Sequence, residues 1–125
     1  MISEIGKFLR SLRLRNNEML KDMAEFLAVS PAFLSSVEMG KKAVPANWVP
    51  AIEGRYYLTD GEVAELRAAV DRSQRSVTLN LADKSGVQRE FAVSFARQFD
   101  ELSDEQLQQL RISLSKLKPA GGNNA

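Results

Sequence analysis

The chain has 125 residues, with 17 Lys and Arg against 16 Asp and Glu, a net charge of +1, and neither cysteine nor histidine. That composition excludes disulfides, thiolate metal sites, the usual zinc constellations and histidine-based acid–base catalysis, and it gives no global attraction to a polyanion. At 44% hydrophobic and 26% charged the chain suits one domain or a small domain with an appendage, and no apolar run nears the ~20 residues of a membrane span.

Taken in chain order, residues 3–15 predict a first helix with Ile5, Phe8, Leu9 and Leu12 on its buried face. The opening, MISEIGKFLRSLRLR, mixes charge among its apolar residues and lacks a signal-peptide core, so a cytoplasmic location is expected. Lys7, Arg10, Arg13 and Arg15 cluster on this segment. Residues 1–57 carry eight Lys and Arg against six acids, whereas 58–100 carry six against seven. Taken singly, each of these basic residues reads as a solvated helix face.

Residues 22–40, DMAEFLAVSPAFLSSVEMG, carry the most information. Met23, Ala24 and Leu27 share one helical face; after Val29–Ser30, Phe33, Leu34 and Val37 share another. Helices are therefore expected over 20–28 and 31–39. Pro31 suits a first helical position, Ser30 before it can cap, and Gly40 ends the second helix. Ala24 is small where two steeply crossed helices need close backbone approach. Two crossed helices with an outward second helix are a minimal device for placing side chains in a DNA major groove.

Met23–Ala24, Val29–Ser30, Leu34–Ser35 and Glu38–Met39–Gly40 together resemble the lambdoid-repressor-type helix-turn-helix of the XRE family, over about half the chain, from the N-terminus to about Leu58. The resemblance implies a bacterial or phage DNA-binding regulator. In relatives, glutamines read bases at the positions of Pro31, Ala32 and Ser36. This chain departs at all three. Proline and alanine make no bidentate contact, so Ala32 is left to touch a thymine methyl and Ser36 to meet several base edges. Specificity would then lean on thymine methyls, DNA shape and dimer spacing. The phosphate-backbone set is Arg10, Asn17, Ser30, Phe33, Ser35, Lys41 and Lys42, with Phe33 open between core packing and backbone contact. The resemblance also implies that Arg13 and Glu38 form a structural salt bridge. At the start of the second helix, where the family has a cap and a phosphate-touching Gln, this chain has Met19 and Leu20; Asn16 or Asn17 could cap or touch phosphate instead.

Trp48, Val49, Ile52 and Tyr56 recur at helical spacing over 47–57, with Pro50 tolerable in the first turn. Thr59 and Glu62 make a capping box for a helix over 60–73 that buries Val63, Leu66 and Val70. Residues 1–74 thus read as a five-helix bundle, which the resemblance implies is of the lambda-repressor-like, DNA-binding kind. VTLNL at 77–81 alternates apolar and polar residues, with β-branched residues among them, as a short strand would. Phe91, Phe95, Phe99 and Leu102, with Val87, fit a helix over 85–99. Ser103 and Gln106 cap another helix, with Leu107, Leu110, Leu114 and Leu117 at heptad-like spacing to about Lys118. The tail 119–125, PAGGNNA, is expected to be disordered.

The expected class is therefore mainly α, with a dimerisation or partner-binding region over 75–118 formed by a short β-strand and two helices. This region either packs within the chain or forms a homodimer. In the dimer, the strand residues Val77, Leu79 and Leu81 pair across a two-fold axis, while Phe91, Phe95, Phe99, Leu107, Leu110 and Leu114 share a core. The dimer is favoured, since two half-sites about 34 Å apart supply contacts that one small helix lacks. The expected function is a DNA-binding (auto)repressor acting on double-stranded DNA at a palindromic operator. The alternative is an antitoxin or phage-immunity component that binds DNA and grips a toxin or other protein through its C-terminal half. No enzyme activity, cofactor, metal or membrane association is expected.

Overall fold

The computed structural model describes residues 1–118, so the expectation of a disordered tail over 119–125 lies outside the described residues. The described chain is mainly helical. Seven α-helices follow in order: α1 (Glu4–Arg15), α2 (Leu20–Phe26), α3 (Pro31–Glu38), α4 (Trp48–Tyr56), α5 (Asp60–Arg72), α6 (Gly86–Gln98) and α7 (Asp104–Lys116). No helix among the described residues is long and apolar enough to cross a membrane. The chain divides into two compact units, Met1–Val77 and a second from Thr78 onward.

The first unit holds α1 to α5. Its helix starts follow from local chemistry. Ser3 accepts a hydrogen bond from the Gly6 amide, Ser30 from the Phe33 amide, and Thr59 from the Glu62 amide, each relieving an orphan donor of the first turn. Thr59 and Glu62 also reciprocate as a capping box. At α2 the capping differs from expectation. Neither asparagine caps it; the Asp22 carboxylate accepts from the Met19 amide at 2.8 Å. Asn16 instead closes α1, donating from Nδ2 to the Leu12 carbonyl at 2.7 Å, and Asn17 takes the left-handed conformation (φ 54) that lets the chain turn. Pro50 sits inside the first turn of α4 without breaking it.

One core closes this unit. Ile5, Leu9 and Leu12 of α1 meet Met23 and Ala24 of α2, Leu34 and Val37 of α3, Trp48 and Ile52 of α4 and Leu66 of α5, each at most 2% exposed. α3 packs on α1 and α2, while α5 packs on α1 and α4. α3 thereby has its inner face fixed from two sides. Val63 and Val70, expected in the core, are only half-buried, and Ala69 is buried instead.

The second unit differs. Residues 77–81 form no strand, and there is none among the described residues. Alternation alone leaves half the backbone groups of an extended segment without partners, and no second segment supplies them. Arg89 of α6 holds the end of the stretch, donating from Nε to the Leu81 carbonyl at 2.9 Å and from Nη2 to the Ala82 carbonyl at 2.8 Å. Helices α6 and α7 start at capping boxes, Ser85 with Gln88 and Ser103 with Gln106. A single 3₁₀ turn over Phe99–Glu101 follows α6. No residue of α6 or α7 is buried.

Candidate nucleic-acid interface

The candidate surface is the outer side of α3. Four residues, 27–30, separate it from α2, and Ala28 takes φ 59 to make the bend. Pro31 occupies the first helical turn, where its missing N–H leaves no bond unmade. Leu34, Val37 and Glu38 face inward and are at most 2% exposed, while Pro31, Ala32 and Ser35 are exposed and Ser36 is half-buried. The outer face is therefore small and short-reaching. Phe33 is half-buried, its ring edge-on to Trp48 at 6.2 Å between centroids, so its side chain packs toward the core.

The end of α3 is fastened by several independent bonds. The Gly40 amide donates to the Val37 carbonyl at 3.0 Å and the Lys41 amide to the Ser36 carbonyl at 2.9 Å, a Schellman closure with Gly40 at φ 78. This turn projects Lys41 and Lys42 into solvent directly after the helix. The Glu38 carbonyl accepts from both the Ser3 amide, at 2.9 Å, and the Ser3 hydroxyl, at 2.8 Å.

Inside, Arg13 of α1 and Glu38 of α3 form a bidentate pair at 2.5 and 3.2 Å, with side chains 9% and 2% exposed. Arg13 Nη1 also lies 3.3 Å from the Met23 sulfur. The pair joins α1, α2 and α3 at one point. Arg10, half-exposed, adds a longer contact to the same carboxylate at 3.6 Å. Of the basic cluster on α1, Arg13 is thus consumed inside. Arg15 is held by Glu62 of α5 at 2.5 Å. Arg10 and Lys7 remain in solvent.

Three contributors were not legible in the sequence. A Cβ added at Gly6 would collide with the Glu38 carbonyl oxygen, so this glycine is what allows α1 to approach the end of α3. Arg75, just beyond α5, donates from Nη2 to the Gly40 carbonyl at 2.6 Å, tying that segment to the turn that bears Lys41 and Lys42. With those two lysines it rims a groove of about 170 Å³ over Ile5, Val37 and Val44. Only the positive charge of Arg75 hinted at a role. Third, Glu18 in the α1–α2 connection accepts from the Tyr56 hydroxyl at 2.5 Å and from Arg55 at 2.7 Å, while Arg55 stacks 4.6 Å above the Phe26 ring. Burial, followed by the bond to Glu18, pushes the Tyr56 phenol up to about 12.

Of the residues expected to touch the DNA backbone, Arg10, Asn17, Ser30, Ser35, Lys41 and Lys42 are exposed. The Ser30 hydroxyl already serves as the cap of α3. No cluster of potential metal ligands occurs among the described residues. No family model, curated protein or solved structure matches the chain.

Proposed function

We propose that this chain is a sequence-specific transcriptional regulator of the XRE, lambda-repressor-like kind, a helix-turn-helix protein that inserts α3 into the major groove of double-stranded DNA and represses its own or a neighbouring operon from a palindromic site. One observation carries the reading. The inner face of α3 is bolted to α1 and α2 through the buried Arg13–Glu38 pair and the Ser3 bonds, while Pro31, Ala32 and Ser35 on its outer side stand exposed. A helix of eight residues so firmly held, yet bare on one side, is suited to presenting that side to a rigid partner.

The chemistry of the face narrows how it would read DNA. Pro31 and Ala32 offer apolar contact to thymine methyl groups, and Ser35 and Ser36 offer hydroxyls that serve either as donors or as acceptors. Arg10, Lys41, Lys42 and Arg75 supply positive charge around it for phosphates. Base discrimination from such residues is modest, so groove shape and half-site spacing share the task.

The test is a gel shift of the full chain on DNA from upstream of its own gene, at two salt concentrations. A shifted band that outlasts unrelated competitor DNA and weakens steeply with salt is expected. The absence of any shift at micromolar protein would sink the proposal.

A further inference from the structure

From Thr78 onward the chain presents the inverse of a folded core. Phe91, Phe95 and Phe99 are 65, 37 and 52% exposed, and Leu110, Leu114 and Leu117 are 45, 61 and 68% exposed. The phenylalanines adjoin one another, Phe91 stacked on Phe95 at 6.2 Å between ring centroids and Phe99 tilted against Phe95 at 5.7 Å. α6 and α7 stand apart and enclose a groove of about 380 Å³ between them, floored by Phe91, Phe95, Leu102, Leu110 and Leu114. Both helices are well capped, so the missing element is not local propensity but a surface to pack against.

We propose that the groove between α6 and α7 is filled by the same hairpin of a second copy, with the two α7 helices running antiparallel. The occupant follows from charge and from area. α7 begins with Asp104 and Glu105, just after Asp100 and Glu101, and carries Arg111 and Lys116 toward its end, with Lys118 two residues beyond. Asp104 and Arg111 stand seven residues apart on α7 beside the row Leu107, Leu110 and Leu114, and Leu117 and Lys118 follow just past its end. Antiparallel pairing of two such helices sets the acidic start of each beside the basic end of the other. Parallel pairing would oppose like charges at both ends. Taking roughly 200 Å² for a whole aromatic side chain, the three phenylalanines expose on the order of 300 Å² per copy, and the leucines a comparable amount, against ~800 Å² per partner in a standard interface. A self-complementary patch on one surface is also what closed two-fold symmetry requires.

This pairing replaces the strand-mediated dimer that the alternation at 77–81 suggests, and it holds whether or not α3 binds DNA. Sedimentation equilibrium of the full chain tests it without DNA. A dimer at micromolar concentration is expected, and F95D is expected to sediment as a monomer while the far-ultraviolet helix signal of α1 to α5 persists. K116E with K118E should weaken the dimer about tenfold, D104K with E105K likewise, and mixing the two variants should restore it as a heterodimer. D104N with E105Q fixes the direction, because antiparallel helices lose affinity on this change and parallel helices gain it. A monomeric parent, a fully dimeric F95D, or a tighter D104N/E105Q dimer would each overturn the proposal.

Discussion

The two units of this chain use similar ingredients to opposite ends. Up to Val77, apolar residues at helical spacing from five helices share one buried core, and even an arginine and a glutamate are taken inside as a matched pair. From Thr78 onward, equally regular rows of Phe and Leu on well-capped helices remain open to solvent. Periodicity and capping make helices in both. What separates the units is the number of elements that meet at one place: a helix needs apolar surface from at least two neighbours before its own is dry, and a two-helix hairpin has only one to offer.

That contrast is easiest to break with phenylalanines. Phe8→Ala should cost the first unit about 3–5 kcal/mol in urea unfolding, because it empties a buried site. Phe95→Asp should leave the melt of that unit unchanged and alter molecular mass alone. Equal effects of the two would erase the distinction. Glu38→Ala follows closely in size, at about 3–5 kcal/mol, since it strands Arg13 inside without a counter-charge. DNA binding would then fail through the fold. Should Glu38→Ala melt like the parent and still not bind, Glu38 belongs to the interface and not to the scaffold.

Gly6→Ala is expected to cost about 1–3 kcal/mol, because the new methyl meets a backbone carbonyl that cannot step aside without moving α3. The same variant should lower affinity in gel shifts. Tyr56→Phe removes one half-buried hydrogen bond and should cost about 1 kcal/mol in a thermal melt at neutral pH. Its pH profile is more telling. The folded chain holds the phenol protonated up to about 12, against an ordinary value near 10 when unfolded. That stability is therefore complete below pH 10 and is lost as the pH climbs toward 12, a slope that Tyr56→Phe should flatten. Smallest in stability is Lys41→Ala with Lys42→Ala, within about 0.5 kcal/mol of the parent for exposed positions. If these lysines hold phosphates, the salt slope of DNA binding drops by about 2.

Helix positions were largely legible in the sequence. Ser30–Pro31, Thr59 with Glu62, and Ser103 with Gln106 announce starts that the structure bears out within a residue or two, because a cap acts over one turn and needs nothing distant. VTLNL misled for the opposite reason: a strand exists only through a partner, and its own residues cannot say whether one is present. Ion pairing was legible only in part. The Arg13–Glu38 pair was anticipated through a resemblance, yet nothing in the order of residues told Arg13 from Arg15, whose guanidinium goes to Glu62 instead.

By itself, then, the amino-acid order determined which stretches are helical, where they begin, and which side of each is apolar. These properties depend on neighbours one to four residues away and on intrinsic side-chain chemistry. Only the tertiary structure decided that Gly6 must lack a side chain, that Arg75 reaches back 35 residues to the Gly40 carbonyl, and that the core closes before Thr78. Each of these is set by ångström-scale distances between segments far apart in the chain. Local patterns leave such distances free until packing fixes them.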